Sequence, residues 1–410
     1  MDLYILILGL GVLIILSYFF EQVGKLLRIP SVVLLLLAGI GLKQFVIYMG
    51  INAPNIVIIL PFIGTIALLL IVLEGALDLH LQKDKAPIIF KAFSSALLGI
   101  LVISFFVAFL FWLIWKTPFY SALLNAIPFA VISSAVAIPS TFSLDKANRE
   151  FIIYESTFSD ILGILFFNFL AEHEEITFHQ SILFGLIFIS TVILSAFISV
   201  FLILYLNKIK HHVKFLPIFA LLLIIYSMAK IYHFSPLVII LIFGLMLNNS
   251  DLFVKGKLAN YFNMKDLRGD IVHFRSITIE AVFLVRTFFF ILFGYSIQLM
   301  SLIDGQSVLV ALLVFGVIFI FRLARLAILN PSNAKVLVFF APRGLITLLL
   351  FLSIPTSHQV TYVNQGSVIW LVLISILLMI VGLWTYKIPF EENESDYVIG
   401  LQQREVDDME

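Results

Sequence analysis

The chain has 410 residues, 62% of them hydrophobic and 12% charged, with 25 Lys and Arg against 25 Asp and Glu and no cysteine. Soluble domains carry about 25% charged and about 45–50% apolar residues. A mean hydropathy of +1.13 over the whole length therefore excludes a soluble enzyme, a nucleic-acid binder and a disordered chain, and the lack of cysteine excludes disulfide frameworks and zinc–thiolate sites.

Apolar runs of about 18–25 residues cross a hydrocarbon core as helices. In chain order they predict spans at 2–20, 31–49, 55–77, 88–114, 119–141, 150–171, 180–206, 215–232, 235–248, 279–300, 307–329, 334–354 and 365–386. The first has no basic start and too long an apolar run for a signal peptide, so it is expected to be retained. The ninth is short enough to be tilted or re-entrant. Strand-like alternation is absent, so the expected fold is an all-α polytopic membrane protein of about thirteen transmembrane helices, not a barrel.

With the N-terminus outside, basic residues such as Lys25, Arg28, Lys83, Lys146, Arg149, Arg268, Arg275 and Arg325 collect on the inner side, against only Lys43, Lys116 and Lys230 outside. That asymmetry predicts N-terminus out and C-terminus in. Residues 1–390 are expected to form one membrane domain, and the acidic stretch 391–410 a solvated inner tail. Thirteen spans divide as six, one linker and six, giving halves of opposite topology. The fifth span holds Pro128 and Pro139 around Ser133-Ser134, and its counterpart, the twelfth, holds Pro342-Arg343-Gly344. Interrupted helices at matching positions of inverted repeats point to a transporter's midplane site.

Charges inside the spans sharpen this. A carboxylate or guanidinium at mid-bilayer costs about 2.5–3.5 kcal/mol, yet Glu74, Glu155, Asp160, Arg286, Arg322 and Arg343 all lie within spans. At 1.5 Å per residue, Glu155 and Arg322 lie roughly 8 and roughly 10 Å above the inner ends of their helices, which predicts a buried structural ion pair. Asp160 lies about 15 Å deep, and Arg343 reaches a similar depth. Ser156 and Asp160, at i and i+4, share one helical face, and offer a hydroxyl and a carboxylate to an alkali cation or a proton. Glu155 and Ser159 share the adjacent face. Two readings of Asp160 stay open: an ion site, or a salt bridge to Arg286 or Arg343. Arg286 itself either neutralises Asp160 or holds a helix junction.

Taken together, these residues resemble the cation:proton antiporter superfamily, the sodium/proton exchangers and their relatives. Glu155-Ser156-Thr157-Phe158-Ser159-Asp160 resembles the family's Glu-Ser-x-x-Asn-Asp segment, and Glu74-Gly75-Ala76-Leu77 its third-helix acidic motif. The aromatic run from Arg286 to Gly294 resembles the stretch before the later core helices, and Arg322 and Pro342-Arg343-Gly344 its two buried arginine positions. The resemblance implies a six-helix core moving against a dimerisation domain, in a homodimer, with two interrupted helices crossing beside Asp160. It implies that Asp160 alternately holds cation and proton, that Ser156 and Glu74 help coordinate the ion, and that Glu155 and Arg322 form the family's ion pair. Two departures bear on selectivity. Ser159 stands where relatives have Asn or Asp, and Ser133-Ser134-Ala135 stands where sodium exchangers have Thr-Asp-Pro, closer to the potassium-efflux branch.

The expected function is exchange of a monovalent cation, Na+ first and K+ or Li+ as alternatives, for H+. Ser133, Ser134 and Ser159 are further candidate ligands beside Asp160, Ser156 and Glu74. With one free carboxylate the exchange is expected to be electroneutral. A channel-like conductor using the same polar path is the rival. An intramembrane hydrolase finds no His-Glu-x-x-His, Gly-x-Ser-x-Gly or P-loop pattern to support it. No cofactor, no enzymatic activity and no nucleic-acid partner are expected, and a prokaryotic inner membrane is the default location.

Overall fold

The computed structural model describes residues 3–27, 30–50, 59–79, 81, 85–171, 178–208, 214–232, 234–253 and 264–386. The tail 391–410, the start of the third predicted span, and several residues of the basic loops (Arg28 and Lys83 among them) lie outside these. Among the described residues the regular structure is helical throughout, with no strand.

The helices are α1 (Leu3–Leu27), α2 (Ser31–Tyr48), α3 (Ile59–Asp78), α4 (Ala86–Trp115), α5 (Phe119–Ala130), α6 (Ser134–Ala137), α7 (Lys146–Ala171), α8 (Phe178–Lys208), α9 (Phe215–Ile231), α10 (Pro236–Asn248), α11 (Ser250–Phe253), α12 (Met264–Ser296), α13 (Leu299–Ile303), α14 (Gly305–Leu329), α15 (Ala334–Leu337), α16 (Leu345–Leu352) and α17 (Gln365–Thr385). Each of the thirteen predicted spans has its helix. The fifth is split into α5 and α6, and the twelfth into α15 and α16.

In a bilayer, hydrophobicity alone does not drive helices together, so close packing of small residues takes its place. On α4, which packs on α5, α7 and α14, Ala92, Ser95, Ala96 and Gly99 are buried, while Phe90, Phe105, Phe109 and Trp112 are exposed. At the α2–α12 crossing, a Cβ on Gly39 would lie 3.0 Å from the Gly294 Cα and 2.9 Å from the Tyr295 nitrogen. This explains the glycine that ends the aromatic run. The chain reverses after α4 through Lys116, whose φ of 56° puts a side-chain residue in a left-handed cap, just before Pro118.

Two groups of helices result. In one, α4 packs on α5, α7 and α14, α14 on α17, and α16 on α5. In the other, α12 packs on α2 and α3, and α10 on α3, α8 and α9. They meet where α3 touches α7 and α16. Gly75 makes that approach close, since a Cβ there would sit 3.1 Å from Thr157 Cγ2 on α7.

Three expectations need correction. The helix that carries the tenth span begins well before 279, at Met264, and polar residues on this extension are paired: Arg275 with Asp78 at 2.6 Å, and Asp270 with Lys214. Arg325, counted with the inner loops, lies within α14 and turns into the protein. Lys43, counted outside, lies within α2 and donates to the Ile297 carbonyl at 2.6 Å.

Candidate functional site: a crossing of two broken helices beside Asp160

Pro128 and Pro342 lack the N–H that a continuous helix needs; Pro128 lies in the last turn of α5, just before the first interruption, and Pro342 within the second. α5 stops at Ala130 and α6 starts at Ser134, while α15 stops at Leu337 and α16 starts at Leu345. The two extended segments touch: the Ser133 N–H donates to the Pro342 carbonyl at 2.9 Å. Gly344 permits the contact, since a Cβ there would lie 2.8 Å from both Ser133 Oγ and Val136 Cγ2.

A broken helix leaves carbonyls without partners. Here two buried arginines supply them. Arg343 donates to the carbonyls of Phe129 (2.9 Å) and Ala130 (3.3 Å) at the end of α5, and to Ala341 (2.6 Å). Arg322 donates to Leu337 (2.7 Å) at the end of α15 and to Phe340 (3.0 Å). Each first half-helix thus ends on a guanidinium, the charge its negative end favours.

Arg322 also pairs with Glu155 at 3.1 Å, with side chains only 2% and 1% exposed. The same carboxylate takes Arg325 at 3.2 Å and the Ser95 hydroxyl at 2.6 Å. The sequence reading missed both partners. Arg325 had a signal, lying at i+3 from Arg322 and so on the same face, but nothing marked Ser95. A Cβ on Gly99 would collide with the Arg325 guanidinium, so this glycine makes room for it.

One turn further along α7, Asp160 is 3% exposed and behaves differently. Its Oδ2 accepts from the Ser134 N–H at 3.1 Å and the Ser134 hydroxyl at 2.5 Å, while its buried Oδ1 has no hydrogen-bond partner. Among the described residues no salt bridge reaches it, so the expected alternative of an ion pair with Arg343 or Arg286 is not what the geometry shows. The Arg343 guanidinium is turned to the α5 carbonyls.

The remaining candidates divide by what they touch. Ser159 Oγ accepts the Ile132 N–H at 2.9 Å and so fixes the unwound segment to α7. Ser156 is buried on the Asp160 face, its hydroxyl donating to the Ile152 carbonyl at 2.7 Å. Ser133 Oγ is buried and has no partner. Glu74 is not at the crossing contact itself. It lines a cavity of about 420 Å³ between α1, α3 and α12, together with Glu21, Glu280, Arg286 and Thr287. Arg286 Nη1 lies 3.4 Å from the Ala135 carbonyl of α6.

The family described as "Sodium/hydrogen exchanger, transmembrane" matches residues 11–385. Two solved structures of the sodium proton antiporter MjNhaP1 from Methanocaldococcus jannaschii are similar in fold. One, at pH 8, has a TM-score of 0.68 at 20% identity, covering 94% of this chain and 96% of that one. The other, an electron-microscopy map, has a TM-score of 0.65 at 21% identity, covering 94% and 97%. No curated protein sequence matches the chain. With the family match running over nearly the whole length and the broken-helix crossing in place, the chain belongs to the sodium/hydrogen exchanger family of membrane cation/proton antiporters.

Proposed function

We propose that this antiporter exchanges one monovalent cation, Na+ in the first instance, for one proton, and that Asp160 holds each in turn. The observation that carries this reading is the state of the Asp160 carboxylate: buried, held by Ser134 on one oxygen and bare on the other. A buried carboxylate with no partner charge is costly. Taking up a proton or a cation removes that cost, and the two compete for one oxygen.

The ligands proposed for the cation are Asp160 Oδ1 with the hydroxyl oxygens of Ser156 and Ser133, since hard cations favour oxygen donors. Ser134 and Ser159 act as positioning groups, one on the carboxylate and one on the unwound segment. Glu155 is locked by two arginines and a serine, and Ser159 carries no charge. That leaves one exchangeable charge at the crossing, which supports electroneutral one-for-one exchange. In the proposed orientation the N-terminus is outside, and the cavity beside Glu74 opens on the inner side. The α4–α7 and α14–α17 group is then the moving core, the other helices form the dimerisation surface of a homodimer, and the setting is a prokaryotic inner membrane.

The test is proteoliposomes with an internal pH dye and an imposed proton gradient, given Na+, K+ or Li+ in turn. The wild type is expected to dissipate the gradient with Na+, and Asp160→Asn with none of the three. A response to K+ alone would move the selectivity to the potassium branch. Tracer cation flux without proton movement would make the protein an uncoupled conductor and end the coupled reading.

A further inference from the structure

The cavity between α1, α3 and α12 carries three carboxylates, Glu21, Glu74 and Glu280, and one guanidinium, Arg286. Its described lining does not include Asp160, but it does include Thr287 beside Arg286. Arg286 reaches across the boundary between the two helix groups, from α12 to the Ala135 carbonyl. Ala135 is the residue after Ser134, whose hydroxyl binds Asp160. Arg286 and Glu74 line the same cavity. Among the described lining residues Arg286 is the cationic side chain, and it links the acidic cavity to the residue next to Ser134. The Thr287 hydroxyl beside it is buried without a partner.

From this placement we infer that Arg286 is a tethered competitor for the transported cation. In this conformation its guanidinium occupies the cavity that Glu74 also lines and reaches toward the α6 carbonyl. An arriving cation takes the guanidinium's place beside Glu74, and Arg286 leaves Ala135, freeing the broken helix for the core to move. Arg286 is thus a specificity- and affinity-setting residue: it lowers the occupancy of the cavity by cations and couples their entry to the crossing. Arg275 and Asp78, on the same two helices as Arg286 and Glu74, are paired with one another at 2.6 Å and are not available for this exchange. The inference rests on the antiport reading above.

The measurement is the cation KM of antiport in proteoliposomes, with cation-dependent thermal stabilisation in detergent as a binding readout that does not need turnover. Arg286→Gln is expected to lower KM roughly fivefold or more, the low end of ordinary coupling between sites, with the stabilisation midpoint falling in parallel. Adding Glu74→Gln to Arg286→Gln is expected to remove that gain, because the freed carboxylate is its source. Arg286→Lys keeps the charge and is expected to stay much closer to the wild-type KM. An unchanged or raised KM and midpoint in Arg286→Gln would overturn the proposal, as would an equal drop in Arg286→Lys or a gain that persists without Glu74. Wild-type protein that moves no protons with any cation would instead refute the antiport reading itself.

Discussion

Glu155 and Asp160 lie five residues apart on α7 and have opposite fates. Glu155 accepts from two guanidiniums and a hydroxyl, so every route to a free charge is closed. Breaking such a buried pair leaves an uncompensated charge and costs about 3–5 kcal/mol. Glu155→Gln, which strands two arginines, is therefore expected to lose about that much stability in a detergent unfolding assay. Arg325→Gln is expected to lose less, because Arg322 still neutralises Glu155 and the Arg325 Nε has no partner to lose. Asp160→Asn should leave the fold intact, since Ser134 can still donate to the amide oxygen. Equal losses in all three would mean that the crossing does not distinguish a locked carboxylate from a working one. The depth of Glu155 and Arg322 was readable from helix rise alone, because two opposite charges buried at one level have few other ways to be tolerated. The destination of Arg343 was not. Its partners are backbone carbonyls, which every residue carries and no sequence pattern marks.

At the scale of the helices, the interruptions were legible because proline removes donors and stood at matching places in the two halves, with Gly344 beside it in the second. What the sequence did not reveal is how tightly the breaks lock together, through the Ser133–Pro342 hydrogen bond and the missing Cβ of Gly344. Gly344→Ala puts a methyl group 2.8 Å from Ser133 Oγ and Val136 Cγ2. Overpacking of this kind typically costs about 1–3 kcal/mol, and here it displaces the residue next to the one that binds Asp160. The expected outcome is a lowered unfolding temperature together with a fall in antiport. A variant transporting at the wild-type rate would show that the crossing tolerates more separation than its geometry implies. The start of α12 was misread for a related reason: hydropathy scores Asp270 and Arg275 as loop residues, whereas their ion pairs with Lys214 and Asp78 hold them on a helix. Capping at the far end was equally invisible. Asp304 accepts from Gln306 and Ser307 at the start of α14, and Ser307 also donates to Asn364, the cap of α17.

For the whole molecule, the two helix groups touch through α3, where Gly75 comes up against Thr157, two residues after Glu155 on α7. The Glu74-Gly75 motif thus does two things in adjacent residues: a carboxylate for the cavity, and a smooth surface against the helix that carries Asp160. Thirteen apolar runs were enough to lay out the spans, because a bilayer imposes both length and composition. Which helices gather into which group was not legible, since lipid-facing and protein-facing positions are equally apolar here. The central claim is that one carboxylate trades a proton for a cation, and calorimetry in detergent tests it most directly, with Na+ titrated in buffers of different ionisation enthalpy. The account predicts about one proton released for each cation bound by the wild type, with neither binding nor release in Asp160→Asn. Cation binding without proton release, or binding that survives in Asp160→Asn, would contradict it.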